Sequence, residues 1–235
     1  MPLISVIMPV KNGSKFIEAS LRSAFKNITL EDEIIVVDDG SDDDTIQKIN
    51  ALSIRYKRSI QVIKTIDAGP ARARNLAIDI AKGELITFLD HDDLWPKDRI
   101  KNHLNFFNDD ISIDLVVGKV QAFENAINGR RVNIAKNTHH VHLGATTFKR
   151  SVFDAMKGFK PEYLFSEDLD LFTRIRESNF KFYFDNKIAL YYRKHHDNMT
   201  NNNDHKIMQF TFRVLMESIK RRRKDSITLT PFKNT

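Results

Sequence analysis

The first half of the chain alternates between two hydrophobic periods, and this alternation limits the fold more than any other feature. Short apolar runs typical of buried strands are predicted at residues 3–8, 33–37, 60–65 and 84–89. Between them, apolar residues recur every three to four positions, as on one face of a helix, at residues 16–28, 46–52 and 71–81. Strands and helices alternating in this way predict a mostly parallel sheet flanked by helices, an α/β fold.

The second half has a mixed pattern. Helices are predicted at residues 96–107, 150–156, 167–178 and 206–224, and strands at residues 114–123, 180–184 and 187–192. Ser14 is placed to cap the first helix, and Ser41 and Asp44 have the spacing of a capping box. No repeat or low-complexity linker divides the chain, so we expect a single domain over residues 1–224 and a flexible tail at 225–235.

Composition excludes several classes of protein. The absence of cysteine excludes disulfide frameworks and thiolate metal sites, so a metal would need oxygen or imidazole ligands. The chain shows no secretory signal and no apolar stretch near the roughly 20 residues of a membrane span. We therefore expect a cytoplasmic protein, at most peripheral at the inner face of a membrane. Part of the net charge of +6 comes from the basic run at residues 220–224.

Acidic residues follow two of the predicted strands. Asp39 comes after the second strand, and Asp90 and Asp92 come after the fourth. Ligands of open α/β sheets bind beyond the carboxyl ends of the strands. There, Asp90 and Asp92 can share a divalent cation with diphosphate oxygens, and Asp39 can accept a hydrogen bond from a base or a ribose. The alternative is that these carboxylates cap helices or lie in solvated turns.

Three further segments carry candidate functional groups. Glu167 and Asp168 open a predicted helix, where a carboxylate can act as a general base or simply cap the helix. Arg72 and Arg74 lie near a helix start and can contact a phosphate, or one of them can be ordinary surface charge. His195 can ligate a metal through a neutral imidazole, although such a histidine is more often structural.

The order of these segments resembles the motif series of family 2 glycosyltransferases. The match covers about residues 3–200, and the combination is far more specific than any one motif. The matching segments, in chain order, are residues 5–12, 37–45, 69–75, 89–93, 158–159, 167–171 and 192–200.

The resemblance implies a GT-A fold with a Rossmann-like sheet. Residues 1–115 would form the nucleotide-sugar-binding half, about 116–200 a mixed acceptor-side half, and about 203–224 an amphipathic basic helix. The implied activity is inverting transfer of one sugar from a nucleotide-diphosphate sugar, with UDP-sugars favoured, and the implied cofactor is Mn²⁺ or Mg²⁺. The acceptor would be a glycan or lipid-linked hydroxyl in bacterial-type cell-surface polysaccharide or glycolipid synthesis.

The resemblance also assigns roles to individual residues. The nucleotide-sugar pocket would contain Pro9, Val10, Asn12, Asp39, Arg74 and Asp90, with Asp39 on the base, Arg74 near the diphosphate and Asp90 on the ribose or metal. Asp92 would ligate the metal, with His195 as a further ligand. Asp168 would be the catalytic base, and Glu167 would orient it or contact the acceptor.

The sequence departs from the family pattern at Lys11, where similar proteins often carry an aromatic residue, and this weakens uridine specificity. A Gln-x-x-Arg-Trp motif, which accompanies polymerising relatives, is absent, so a single addition is expected. The rival interpretation is a catalytically idle sugar-nucleotide or glycan-binding module of the same fold.

The last predicted helix has an apolar stripe made of Ile207, Phe210, Val214, Leu215 and Ile219, followed by the basic run. The stripe can pack against the domain, or it can lie on a membrane surface near a lipid-linked acceptor. Nucleic acid is not expected as a partner, because aromatic residues are not interleaved with these cations.

Overall fold

The computed structural model describes residues 2–125, 130–138, 141–196, 198, 203–227 and 229. Its strands are β1 (Ile4–Val10), β2 (Glu33–Asp38), β3 (Ile60–Lys64), β4 (Leu85–Phe88), β5 (Leu115–Asn125), β6 (Arg131–Asn133), β7 (Thr146–Lys149) and β8 (Phe182–Arg193). Its α-helices are α1 (Ile17–Phe25), α2 (Thr45–Tyr56), α3 (Gly69–Ile80), α4 (Arg99–Asp109), α5 (Arg150–Met156), α6 (Glu167–Arg176) and α7 (Asp204–Asp225). A short 3₁₀ turn, Leu143–Ala145, precedes β7.

The strands form one sheet in which β3, β2, β1 and β4 lie side by side and parallel, in that order. β7 lies antiparallel between β4 and β5. β5 also pairs with β6 and, in parallel, with β8. The prediction of a mostly parallel sheet flanked by helices, with a mixed second half, is confirmed.

Helices cover both faces of the sheet because the strands are apolar on both sides. Alternate residues of β1 point to opposite faces. Val6 and Met8 belong to a core cluster with residues of α1, α2 and α4, whereas Ile7 belongs to a second cluster with residues of α3, α5 and α6. Each helix layer thus has its own apolar core, and the polar groups are left at the ends of the strands.

The second half differs from the prediction in three strands, β6, β7 and β8, and β6 lies in a segment where no strand was predicted. β7 was not predicted, because its four residues carry only one large apolar side chain, Phe148, and are buried by β4 and β5 on either side. The two strands predicted at 180–184 and 187–192 are wrong: a single strand, β8, runs through both. The prediction interrupted the strand at residues 185–186, but β8 passes through them with register shifts relative to β5. Such a bulge takes up extra residues without ending the strand.

Both predicted side-chain caps are also wrong. α1 begins after Phe16 and α2 after Asp44, and neither residue makes a capping side-chain hydrogen bond. The hydroxyl of Ser41 accepts instead from the N–H of Asn12 at 2.8 Å, and the N–H of Ser14 donates to Asp43 at 3.0 Å. These groups join the β1–α1 loop to the β2–α2 loop, and this competing tertiary contact explains why they do not cap their own helices.

The last helix, α7, starts and ends close to its predicted bounds. Among the described residues, no helix is long and apolar enough to cross a bilayer. Of the tail predicted at 225–235, residues 228 and 230–235 lie outside the described part of the chain.

Candidate active site

Five segments of the chain meet at one edge of the sheet. β1, β2 and β4 are parallel, so their carboxyl ends lie at the same edge. β7 is antiparallel to β4, so its first residue and the turn before it lie there too. The amino end of α6 reaches this edge through an ion pair between Glu167 and Arg74. The crevice predicted from the positions of the acidic residues is therefore formed by distant parts of the sequence.

The β1–α1 loop is held in one conformation by backbone geometry and hydrogen bonds. Asn12 adopts a left-handed conformation with φ of 51°. Its side-chain oxygen accepts from the N–H of Asp42 at 2.9 Å. At Gly13, an added Cβ would lie 2.5 Å from Val10 and 2.7 Å from His91, so only glycine fits between them. Pro9 and Val10, at the end of β1, and Asn12 thus lie at the expected edge of the sheet.

Asp39 is buried and strongly hydrogen-bonded. One carboxylate oxygen accepts from the hydroxyl of Thr65 and the N–H of Ala68, both at 2.7 Å, and the other accepts from the N–H of Gly69 at 2.9 Å. Burial favours the neutral acid, but these hydrogen bonds outweigh it and hold the pKa of Asp39 below its ordinary value. Asp39 therefore orders the start of α3, and three of roughly four acceptor positions of the carboxylate are already used.

Arg74 joins the two sides of the crevice. Its guanidinium is buried and donates to Asp90 at 3.0 Å and to Glu167 at 2.6 Å. Burial disfavours the charged guanidinium, but the charges of Asp90 and Glu167 outweigh that effect and raise the pKa of Arg74. Arg72, the other candidate on this helix, is exposed. The structure thus separates the two arginines, and Arg74 alone lies within the crevice.

The two carboxylates bound by Arg74 have opposite pKa shifts. Burial, together with the charge of the neighbouring Asp168, raises the pKa of Glu167 to about 7 despite the opposing charge of Arg74. Burial also acts to raise the pKa of Asp90, but there Arg74 prevails and the net shift is downward. Asp90 is therefore an anion at neutral pH, whereas Glu167 titrates close to neutrality.

Asp92 and His195, which the resemblance assigns to one metal ion, lie together and are hydrogen-bonded to each other. Asp92 Oδ2 and His195 Nε2 are 2.9 Å apart, and the side-chain amide of Asn198 donates to the same oxygen at 3.3 Å. Two ligands at about 2.1 Å from one ion and at right angles to each other would be about 3 Å apart, so this pair fits one cation. Within the described residues, no group of three or more acidic or imidazole side chains could hold a metal ion. Phosphate oxygens and water would have to complete the coordination.

Asp93 belongs to the fold rather than to the crevice. It is completely buried and accepts from the backbone N–H of Arg193 at 2.8 Å, across 100 residues of sequence. Burial, and then the charges of Asp92 and Asp90, raise the pKa of Asp93 well above its ordinary value. This contact holds the end of β8 against the loop after β4, and it thereby brings His195 to Asp92.

Asp168 opens α6 next to Glu167. The preceding residue, Ser166, is left-handed with φ of 63°, and one carboxylate oxygen of Asp168 accepts from the N–H of Leu169 at 2.7 Å. The charge of Asp168 acts on Arg74 and on His142, which places it in the same crevice. The structure therefore places Asp168 beside Glu167, at the end of the crevice that Arg74 links to α6.

His142 also lies in the crevice, and sequence reasoning missed it. Its Nδ1 accepts from the N–H of Gly144 at 3.1 Å, and its ring packs edge-on against Tyr192. Burial lowers the pKa of His142, although Asp90, Asp168 and Asp92 act in the opposite direction. A neutral imidazole that accepts at Nδ1 carries its proton at Nε2. No motif marked this residue, because it follows a loop without recognisable pattern.

The family was identified by comparison with known proteins. A family model described as "Glycosyl transferase family 2" matches residues 5–163. The chain belongs to glycosyl transferase family 2. A curated Escherichia coli relative, a UDP-Glc:α-D-GlcNAc-diphosphoundecaprenol β-1,3-glucosyltransferase, is 33% identical over 209 residues, which cover 83% of this chain and 78% of the relative. An uncharacterized Haemophilus influenzae glycosyltransferase is 40% identical over 106 residues, but these cover just 45% of this chain and 42% of the relative.

Solved structures of low sequence identity show the same fold. Staphylococcus aureus TarS 1–349 in complex with UDP-GlcNAc has a TM-score of 0.72 at 22% identity, covering 92% of this chain and 66% of that structure. A Pyrobaculum calidifontis mannosyltransferase in complex with GDP-Man and Mn²⁺ has a TM-score of 0.71 at 18% identity, covering 93% and 64%. The GT-A fold implied by the motif series is confirmed.

Proposed function

We propose that this family 2 member transfers a single sugar from a nucleotide-diphosphate sugar to an acceptor hydroxyl, with inversion and with the help of a divalent cation. One observation carries the proposal. Arg74 joins Asp90, on the Asp92 side of the crevice, to Glu167, beside Asp168. A leaving diphosphate and an attacking hydroxyl need groups of these two kinds on opposite sides of one sugar.

The nucleotide would lie against the ends of β1 and β2. Pro9 and Val10 supply the wall, and Asn12 fixes the loop that closes it. The remaining acceptor position of Asp39 is available to a base or a ribose hydroxyl. Lys11, in place of an aromatic residue, forms an ion pair with Asp67, so its charge is held near this pocket. UDP-sugars are favoured because TarS is solved with UDP-GlcNAc, and the GDP-Man complex of the mannosyltransferase makes guanosine donors the alternative.

The diphosphate side of the crevice would be formed by Asp90, Asp92 and His195. Mn²⁺ or Mg²⁺ bound there would offset the negative charge that grows on the leaving diphosphate. Asp92 and His195 have the donor types and the spacing for such an ion, and the mannosyltransferase of the same fold was solved with Mn²⁺. Arg74 adds positive charge to this side while it holds Asp90 in place.

Asp168 is the proposed general base. The acceptor O–H transfers its proton to the Asp168 carboxylate as the oxygen forms a bond to the anomeric carbon. The bond from that carbon to the diphosphate oxygen breaks, and its electron pair leaves with the nucleoside diphosphate. Attack from the face opposite the leaving group converts an α-linked donor into a β-linked product. Glu167, fixed by Arg74, would hold the start of α6 so that Asp168 faces the acceptor.

The acceptor would be a hydroxyl on a glycan or a lipid-linked sugar in bacterial-type cell-surface polysaccharide or glycolipid synthesis. The name of the E. coli relative specifies a diphosphoundecaprenol-linked acceptor. The setting would be the cytoplasm, with peripheral contact at the inner face of the membrane through α7.

A donor screen tests the proposal. The purified chain is mixed with UDP- and GDP-sugars and with sugar-lipid acceptors, with or without Mn²⁺, and release of nucleoside diphosphate and the anomeric configuration of the product are measured. The expected result is metal-dependent release with a β-linked product from an α-linked donor. Donor binding without turnover across the acceptor panel would favour the idle binding module instead, and a retained configuration would exclude the inverting mechanism.

A further inference from the structure

The helix α7 has apolar side chains on two opposite sides. The inner side contacts the domain: Val214 and Ser218 are buried, and the ring of Phe210 packs against Tyr163 and Phe165. Of the five residues of the predicted stripe, Val214 and Phe210 therefore pack inward, Ile207 and Ile219 are partly buried, and Leu215 is exposed. Most of the predicted stripe is thus buried or partly buried, so a membrane contact of α7 would have to use its exposed apolar side chains instead.

A second stripe lies on the outer side of α7. Residues 208, 212, 215 and 216 have the helical spacing that places side chains on one face. This outer stripe is exposed, with exposed fractions of 65% for Met208, 65% for Phe212, 48% for Leu215 and 38% for Met216. Single exposed apolar residues are ordinary, whereas four on one face of one helix indicate an interaction surface.

The inner contacts hold this outer stripe in a fixed orientation. The hydroxyl of Tyr163 donates to Glu217 at 2.8 Å, and Arg221 forms an ion pair with Glu177 at 2.6 Å. The hydroxyls of Ser166 and Thr211 are 3.1 Å apart. Ser166 immediately precedes the first turn of α6, which carries Glu167 and Asp168. The outer stripe is therefore attached to the same helix start as the proposed base.

Cations flank the outer stripe. α7 contains seven Lys and Arg residues against three Asp and Glu residues. At 100° per residue, Lys220 lies on one flank of the stripe and Arg223 continues the stripe at its carboxyl end, whereas Arg213, on the same flank, is paired with Glu217 at 3.2 Å. Lys220, Arg223 and Lys224 are exposed. An apolar stripe edged by cations is the arrangement of helices that lie in the head-group region of anionic bilayers.

We propose that the outer stripe and its flanking cations dock this chain on the surface of an anionic bilayer, with the helix lying along the surface. A second copy of the chain fits less well, because the exposed parts of four side chains amount to roughly 400 Å², about half of what each partner of a stable dimer buries. Only the consequence for catalysis rests on the proposed function: docking would bring a lipid-linked acceptor to the side of the crevice that carries Asp168.

Vesicle sedimentation of the full chain, without donor or acceptor, tests the docking by itself. The variant Phe212→Glu removes the centre of the outer stripe, and Ile54→Glu makes the same change at a side chain of α2 that is 80% exposed. Phosphatidylglycerol-containing vesicles should bind the unchanged chain and Ile54→Glu equally, and Phe212→Glu about tenfold less. Pure phosphatidylcholine vesicles should bind all three weakly. Thermal melting of both variants checks that they remain folded.

Three results would overturn the docking proposal. They are no binding of the unchanged chain to anionic vesicles, equal binding to neutral and anionic vesicles, and full binding by Phe212→Glu. Analytical ultracentrifugation adds a fourth: a dimer abolished by Phe212→Glu would assign the stripe to a second copy. If the chain transfers no sugar, the proposed function fails but the vesicle result still stands. If the crevice works independently of docking, Phe212→Glu should still transfer sugar to a water-soluble acceptor.

Discussion

Replacing Arg74 by Met removes the cation that joins the two sides of the crevice while keeping most of the apolar volume of the side chain. The change breaks the hydrogen bonds from Arg74 to Asp90 and Glu167. It leaves two carboxylates in the crevice without the cation that balanced them. A buried carboxylate that loses its only cation destabilises the folded state more than the ion pair stabilised it.

The expected loss of unfolding free energy follows from the two hydrogen bonds that Arg74 donates. Hydrogen bonds to charged groups contribute about 1.5–3 kcal/mol each, so losing two costs at least about 3 kcal/mol. The low end applies for two reasons: Glu167, with a pKa raised to about 7, can take up a proton, and the Asp90 side chain is 30% exposed, so water can solvate it. For a domain of this size, the melting temperature should fall by roughly 6–12 °C.

Urea unfolding at pH 8 measures this loss, and Arg72→Met, at an exposed position on the same helix, is the matched control. The unfolding free energy of the control variant should fall by less than about 0.5 kcal/mol. A double-mutant cycle with Glu167→Gln should give a coupling energy of about 1–3 kcal/mol between Arg74 and Glu167. A loss below about 1 kcal/mol for Arg74→Met, or additive losses in the cycle, would refute the role of Arg74 as the link across the crevice.

Three further outcomes are expected. Because burial raises the pKa of Glu167 from 4.5 to about 7, the folded chain keeps this proton between these two pH values, where the unfolded chain has lost it. The unfolding free energy of the unchanged chain minus that of Glu167→Gln should therefore fall by about 3 kcal/mol as pH rises through this range. A difference that stays constant with pH in urea unfolding would contradict the shift. We expect the Nε2–H of His142 to donate a hydrogen bond to the bound nucleotide-sugar, so His142→Leu should lower kcat/KM for the nucleotide-sugar about tenfold to a hundredfold without changing the Mn²⁺ dependence. Unchanged steady-state kinetics would exclude this contact. Asp92→Asn should raise the Mn²⁺ concentration needed for half-maximal turnover about tenfold or more, and an unchanged metal titration would remove Asp92 from the cation site.

The parallel half of the fold was predictable because each of its elements carries its own local signal. The runs at 3–8, 33–37 and 84–89 are apolar enough to read as buried strands, and β1, β2 and β4 follow them closely. β7 carries no such signal, since its pairing with β4 and β5 is set by contacts made far away in sequence. Ser14 and Ser41 failed as predicted caps for the same reason: each makes a contact with another loop.

The crevice was predictable where motifs existed and not elsewhere. Asp90, Asp92 and Asp168 follow strands or open a helix, and topology brings such positions to one edge of the sheet. The position of Arg74 between Asp90 and Glu167 depends on two carboxylates that lie far away in the sequence. The local sequence around Arg74 therefore could not reveal this contact. His142 reaches the crevice because β7 runs antiparallel, and that strand had not been predicted.

The direct test of the account is a comparison of Asp168→Asn with the unchanged chain, in which donor binding is measured by calorimetry and sugar transfer in a single turnover. The account predicts that the transfer rate falls by about 10²- to 10⁴-fold while the donor Kd changes less than about threefold, because Asp168 acts on the acceptor proton and not on the nucleotide. Transfer at the rate of the unchanged chain would contradict the assignment of the base. Loss of donor binding in parallel with transfer would contradict the division of the crevice into a diphosphate side and an acceptor side.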